Sequence, residues 1–293
     1  MKKNYVDNGY CVLTPDFTRK HELILKETLT LANSGGRVND ALFHPMAWEV
    51  IRHSIDRISD VIGYEMQFYG DFVMFVRRKE TSFTGFIGAH RDMPDVGRES
   101  FDGDVPGSCV VWVALTDATL TNSCVHVLPR QFDKDYFNAG LHLEIPPNHL
   151  DKIRALPVEK GSIIVLGNRV IHWGSPTIEG ERVALSFTLV NPKFIRPKIT
   201  RPPLNRVEIM SILAAMDIWY YDHNPVDALR LKQLIRDFKF DTSLFNEGYL
   251  VDLYRHIQNL KFGLNAVYTP KRRERKGGVM ELENVDGLSL LFN

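Results

Sequence analysis

Apolar positions recur at two different spacings along this 293-residue chain, and the change from one to the other divides it. The first 65 residues read as helical after a short strand. Asp16 is the expected cap of a helix through Leu23, Ile24 and Leu31, and the turn Ser34-Gly35-Gly36 ends it. A second helix follows Pro45, with Trp48, Ile51, Ile55, Ile58 and Ile62 forming one apolar stripe at steps of three or four. That stripe is expected to pack on a sheet. From Met66 to Val190 the pattern is that of short strands, among them 72–76, 108–115, 124–128, 162–166 and 182–190. They are rich in Val, Ile and Phe and bounded by Gly, Pro, Asn and Asp, as in a sandwich or barrel. The last alternates most clearly. Val183, Leu185, Phe187 and Leu189 point one way, and Arg182, Ala184, Ser186 and Thr188 the other.

Helical spacing returns at 204–262 in three stripes, led by Val207, Leu229 and Leu250, with the first ending near Asn224-Pro225. They are expected to pack on the outside of the barrel, to roof its pocket, or to form a homodimer surface. The cluster Trp219-Tyr220-Tyr221 is read as core packing. Residues 271–276, basic apart from Glu274, read as a solvated spacer. The expected organisation is therefore a β domain with N-terminal helices at 1–200, a helical extension at 201–265 and a charged tail at 266–293.

Composition narrows the function classes. Hydrophobic residues are 44% and charged residues 25% of the chain, as in a soluble globular protein. The 36 basic and 36 acidic residues cancel, so no electrostatic argument favours nucleic acid or an anionic membrane as partner. No apolar run approaches the roughly 18 residues that span a bilayer, and Met1-Lys2-Lys3-Asn4-Tyr5 lacks the apolar segment of a signal peptide. Cys11, Cys109 and Cys124 are odd in number and far apart, which fits reduced thiols of a cytoplasmic protein better than a disulfide frame or zinc site.

The chemistry centres on His90 and Asp92, two apart, and on His172 far downstream. Side chains at i and i+2 of a strand share a face, so His90 and Asp92 reach one ion when Arg91 points elsewhere. With ten histidines in the chain, His-x-Asp alone fits a surface pair as readily as a metal site. Arg182, ten residues after His172 and on one strand face with Ser186, changes the balance. A guanidinium fork near a metal histidine suits a bound carboxylate. Two imidazoles and one carboxylate on one face of a six-coordinate metal are the ligand set of non-haem Fe(II) oxygenases. With this spacing the best-fitting architecture is a double-stranded β-helix, a jelly roll of the cupin kind, with the metal at its mouth. Loops 93–107 and 132–158 are candidate lids or substrate walls, and His142 and His149 within the second are expected not to be ligands.

His-x-Asp, a distant His and an Arg ten residues beyond resemble the Fe(II)/2-oxoglutarate-dependent oxygenases, and the flanking segments resemble their phytanoyl-CoA dioxygenase family. These segments are Asp7-Asn8-Gly9-Tyr10-Cys11-Val12-Leu13, Lys79 before the His-x-Asp loop, Trp112-Val113-Ala114-Leu115-Thr116-Asp117, and 122–129 ending in Leu128-Pro129. The resemblance covers roughly residues 5–195 in order. Three departures stand out. Asn122-Ser123 replaces Asn-Gly, Pro129-Arg130-Gln131-Phe132 replaces Pro-Gly-Ser-His, and Trp173 is inserted into His-Gly-Ser.

The resemblance implies that His90, Asp92 and His172 hold Fe(II), and that Arg182 anchors the far carboxylate of 2-oxoglutarate with Ser175 or Ser186 assisting. Lys79 is a candidate for the other end. It further implies oxidative decarboxylation with dioxygen to succinate and carbon dioxide, coupled to hydroxylation of a small metabolite or natural-product intermediate. Asp92 stands where related halogenases carry a small residue, which favours oxygenation. Desaturation, epimerisation and cyclisation use the same oxidant. A non-catalytic cupin-like metal-binding protein is the reading from another class, and the carboxylate anchor at Arg182 separates the two. A zinc hydrolase with the same ligands lacks a recognisable general base.

Overall fold

The computed structural model describes residues 2–63, 65–79, 88–93, 97–140, 145, 147–201, 203, 205–220, 242–259, 272–274 and 280–282. They fall into two compact units, Met1–Pro197 and Lys198–Asn293.

The first unit opens with a helix that the sequence pattern did not announce, α1 (Lys2–Asn8). Only Tyr5 of it is buried, and seven residues are too few to display a period, so tertiary burial decides the conformation. Gly9 turns the chain into β1 (Tyr10–Leu13) with φ 79°, and an added Cβ there would stand 2.6 Å from Val170 Cγ2. The glycine of the Gly-Tyr motif is thus required by both backbone and packing.

Helix α2 (Arg19–Asn33) is capped by Thr18, not by Asp16 as expected. Thr18 immediately precedes the first helical residue with extended backbone, φ −110° and ψ 170°, and its N–H donates to His21 Nδ1 at 3.2 Å. Asp16 lies two residues too early and instead accepts from His53 Nε2 at 2.6 Å. Helix α3 (Pro45–Ile62) has Pro at its first position and ends at Gly63 with φ 88°. Its apolar stripe packs as anticipated, with Trp48 meeting Phe68 and Phe72 edge-on at 5.4 and 5.2 Å.

Strand β2 (Gln67–Arg78) is longer than the expected 72–76. The hairpin β3 (Phe101–Asp102) and β4 (Val105–Pro106) follows inside the first long loop. Next come β5 (Ser108–Ala114), β6 (Val125–Leu128), β7 (Arg154–Leu156), β8 (Ile163–Gly167), β9 (Ile171–Gly174) and β10 (Glu181–Val190). A five-stranded antiparallel sheet has the order β1-β8-β5-β10-β2, and a three-stranded sheet the order β7-β6-β9. Together they form the double-stranded β-helix. Trp112, Ala114, Ile164, Leu166 and Ala184 of the larger sheet share one buried cluster with Val125, Val127 and Leu156 of the smaller.

In the second unit, α4 (Arg206–Tyr220) and α5 (Glu247–Asn259) match the first and third helical stripes. Asn205 caps α4, its Oδ1 accepting from Glu208 N at 3.0 Å while its Nδ2 donates to Glu208 Oε1 at 2.8 Å. The second stripe, Asn224-Pro225, Tyr221 and His142 lie outside the described residues. The segment read as a charged spacer carries β11 (Arg272–Glu274), which pairs antiparallel with β12 (Met280–Leu282). Among the described residues no helix is long and apolar enough to cross a membrane. All three cysteines are free and buried.

Candidate active site

His90 and His172 come together through backbone pairing. Each N–H donates to the other's carbonyl at 3.1 Å, an isolated bridge that continues the edge of β9. His172 lies opposite Val127 in the β9–β6 ladder, so it shares the inner face with the core. Asp92 stands between the rings, with Oδ1 3.5 Å from His90 Nε2 and Oδ2 3.4 Å from His172 Nε2. One donor atom from each of the three lies within 4.8 Å of the others.

The outer nitrogens of both rings are already committed. His90 Nδ1 is 2.8 Å from Gly88 O, and His172 Nδ1 is 3.0 Å from Val170 O. An Nδ1–H donated to a carbonyl leaves Nε2 as the lone-pair nitrogen, the arrangement found for metal-bound imidazole. Burial holds the His172 imidazole below its usual pKa, keeping it neutral as a ligand must be. For His90, burial is opposed by the Asp92 hydrogen bond and charge, which carry the net shift upward. Burial acts to raise the Asp92 carboxyl, but the two histidines outweigh it and lower the pKa.

Asp92 Oδ2 is buried and has no hydrogen-bond partner among the described residues. A buried carboxylate oxygen without a donor is costly. A divalent cation answers that cost, and cis donors on a first-row metal stand about 3 Å apart, close to the separations here. The residues therefore fit Fe(II).

Arg91 does point elsewhere. Its buried guanidinium makes a two-pronged pair with Asp133, Nη1–Oδ2 2.6 Å and Nη2–Oδ1 2.9 Å, and also donates to Arg169 O. Arg169, fully buried, donates to the carbonyls of Tyr136, Asp135, Asn138, Gly140 and Met93. These two arginines fasten the His90–Asp92 segment to the start of the second long loop. Neither role was visible in the sequence, where Arg91 and Asp133 are 42 residues apart. Removing one partner of such a buried pair typically costs about 3–5 kcal/mol. Asp133→Asn should therefore lower the unfolding free energy from denaturant titration by about that much, and an unchanged midpoint would contradict this account of the pair.

Arg182 is buried on the inner face of β10. Its Nη1 donates to Ser123 O and, at 3.3 Å, to Ser123 Oγ, and its guanidinium carbon lies 5.2 Å from the centre of the Trp112 ring. Its Nε is buried and has no hydrogen-bond partner among the described residues. Burial, followed by the charge of Arg77, lowers its pKa to about 10. A buried cation with a spare donor, whose hydrogen-bond acceptors among the described residues are the neutral carbonyl and hydroxyl of Ser123, suits a ligand carboxylate.

Ser123 occupies the left-handed region at φ 78°, which explains why glycine suits this position in the resembling family. An added Cβ at Gly174 would stand 3.1 Å from Ser123 Oγ and 3.6 Å from Arg182 Nη1, so the glycine leaves the fork its room. The inserted Trp173 lies opposite His126 in the ladder and stacks on it at 5.7 Å, on the face away from His172.

Among the remaining predicted site residues, Ser186 is buried on the Arg182 face of β10, opposite Trp112. Ser175 follows β9, and its buried Oγ has no hydrogen-bond partner among the described residues. Lys79 lies just past the end of β2 and is exposed. His149, read as a non-ligand, places Nδ1 2.9 Å from Phe132 O.

The phytanoyl-CoA dioxygenase family model matches residues 28–182, more than half of the chain. No curated protein sequence matches it. Among solved structures, the non-heme alpha-ketoglutarate-dependent carbocyclase SnoK from nogalamycin biosynthesis superimposes with TM-score 0.50 at 14% identity, over 69% of this chain and 86% of that one. The non-heme monooxygenase ThoJ in its apo form gives 0.49 at 14% identity, over 80% and 99%. HygX from Streptomyces hygroscopicus, with nickel and 2-oxoglutarate bound, gives 0.46 at 12% identity, over 64% and 85%. The chain belongs to the phytanoyl-CoA dioxygenase family of Fe(II)- and 2-oxoglutarate-dependent oxygenases.

Proposed function

We propose that this protein hydroxylates a small molecule, a metabolite or natural-product intermediate, and releases succinate and carbon dioxide from 2-oxoglutarate. The observation that carries this reading is the pairing of the His90-Asp92-His172 cluster with the buried Arg182 donor in one β-helix. His90 Nε2, His172 Nε2 and one Asp92 oxygen would hold the metal. Arg182 would orient the far carboxylate of the co-substrate, with Ser186 and the unpartnered Ser175 hydroxyl nearby in the fold. When bound, the iron supplies activation of dioxygen and the oxidising power for cleavage of an unactivated C–H bond.

The chain's own residues would do the rest. The carbonyls of Gly88 and Val170 fix the two imidazoles so that their Nε2 lone pairs converge. The apolar core around Trp112 and Val127 keeps water from the oxidant. The small-molecule reading rests on a half-buried row along β2, Tyr69, Asp71, Val73 and Phe75, of which Val73 and Phe75 lie opposite Ser186 and Ala184. Alternating aromatic, acidic and aliphatic groups suit a compact, mixed-polarity substrate, and the neutral net charge disfavours a polyanion. SnoK, described as a carbocyclase, shows that the fold also serves ring formation in another protein.

A mass-spectrometric screen of metabolite pools tests the reaction type. With Fe(II) and 2-oxoglutarate the expected product is heavier by one oxygen atom, and it should be absent without 2-oxoglutarate. A product lighter by two hydrogens, or of unchanged mass, would reject hydroxylation.

A further inference from the structure

The metal cluster draws its ligands from two segments of chain, 90–92 and the start of β9, and few backbone bonds join them. His90 and His172 form an isolated bridge, Met93 N donates to Asn168 O at 3.3 Å, and Asp92 lies on a bend outside the ladders. A ligand within a strand takes its direction from a whole ladder of paired residues. The His90–Asp92 segment has to take its direction from side-chain contacts instead.

Arg91 supplies such a contact. It stands between the two ligands, so a torsion of the main chain at this residue swings both of them. Its guanidinium is fully buried, and Nη1 donates to the carbonyl of Arg169, three residues before His172. Arg169 reaches back in the other direction. Its Nη1 donates at 3.4 Å to the carbonyl of Met93, which follows Asp92. The two arginines thus cross between the ligand-bearing segments. Asp133 holds Arg91 in this pose through the two-pronged pair, and Asp133 Oδ1 is itself held by Asp135 N at 3.1 Å. The planar fork of arginine can grip a carboxylate and a carbonyl together in one fixed geometry, which the single ammonium of lysine cannot do.

We propose that Arg91 is a positioning residue of the metal centre. Braced by Asp133, it sets the separation of the His90–Asp92 segment from the His172 segment, and with it the affinity and geometry of the bound metal. This rests on His90, Asp92 and His172 being the metal ligands. A buried ion pair that only stabilises a fold can often be replaced by apolar side chains of similar volume without loss of stability. A brace cannot be replaced in that way, because an apolar side chain does not hold the Arg169 carbonyl. Stability and metal binding therefore respond differently to the same substitutions.

The test titrates Co(II) into the metal-free full-length chain and follows its visible absorption, with the thermal unfolding midpoint of each metal-free variant measured alongside. Arg91→Met should lower the midpoint, weaken Co(II) about ten-fold, the lower end of what losing a ligand's own hydrogen-bond partner costs, and alter the absorption bands. Adding Asp133→Leu to Arg91→Met should raise the midpoint again without restoring Co(II) affinity. Arg91→Lys should fall between the parent and Arg91→Met. Ile58→Ala, a cavity in the buried core of α3, should lower the midpoint and leave Co(II) affinity and spectrum as in the parent. The proposal is overturned if the double variant binds Co(II) with the parent's affinity and spectrum, or if Arg91→Met loses no more affinity than Ile58→Ala. Should Arg91→Met not fold, Arg91→Lys and the double variant carry the same comparison. His172→Ala is the control. If it loses Co(II) while the Arg91 variants do not, Arg91 alone has been misassigned. If it binds Co(II) as tightly as the parent, the ligand reading itself has failed.

Discussion

Substituting both His90 and Asp92 with alanine is expected to abolish Fe(II) retention and turnover together. Loss of a partner outside the ligand shell costs about 10- to 100-fold in metal affinity, so removing two of three ligands should exceed about a thousand-fold. The fold should survive. Asp92 Oδ2 is a buried acceptor without a hydrogen-bond donor among the described residues, and His90 meets β9 through backbone atoms that alanine retains. Metal analysis after gel filtration, with near-ultraviolet circular dichroism to check packing, separates ligand loss from unfolding. Undiminished iron in a folded double variant would sink the ligand assignment.

Arg182→Met should chiefly raise the 2-oxoglutarate requirement. Truncating one partner of a buried charge pair costs about 2–5 kcal/mol. The half-saturating 2-oxoglutarate concentration should therefore rise about thirty-fold or more, while iron binding stays intact. Stability without ligand should hold or increase, because methionine fills similar volume beside Trp112 without a desolvated charge. Substrate-saturation curves at several 2-oxoglutarate concentrations make the measurement. An unchanged 2-oxoglutarate requirement would count against the anchor, and a fall in iron content would mean that the substitution disturbs the metal centre instead.

Part of this site was legible because it lies on strands, as period-two alternation over 182–190 gave the face of Arg182. His90 and Asp92 were expected to share a strand face, but His90 forms only an isolated bridge to His172 and Asp92 lies on a bend, so the two converge through the turn that follows the bridge. The helix stripe at Trp48 likewise foretold its packing. What stayed hidden depends on partners distant in sequence. Periodicity reports which face a residue occupies and not what lies opposite. The Arg91–Asp133 pair, the Arg77–Arg182 apposition and the Ser123 contact to Arg182 needed register and loop path. Arg91 was legible only as a residue that had to turn away from the metal.

Short elements were hidden for another reason. Helix α1 is held by one buried side chain, Tyr5, and β7 by its pairing of Val125 with Leu156, neither of which repeats often enough to make a pattern. The position of Asn122-Ser123 did carry a signal. A serine where glycine is usual implies a left-handed residue, and φ 78° is what the backbone adopts. Asn122 holds that turn through bonds to Asp117 O at 2.9 Å, Glu181 O at 3.2 Å and Thr119 N at 2.6 Å. The turn that presents Ser123 to Arg182 is therefore fixed before any ligand binds.

The most direct test of the central claim needs no knowledge of the primary substrate. Fe(II)-loaded protein is mixed anaerobically with 2-oxoglutarate and then exposed to isotopically heavy dioxygen, and the succinate formed is weighed by mass spectrometry. The account predicts succinate carrying one heavy oxygen atom, formed by the wild-type chain and not by the Asp92→Ala variant. No succinate above the variant's background, or succinate without the heavy atom, would contradict it.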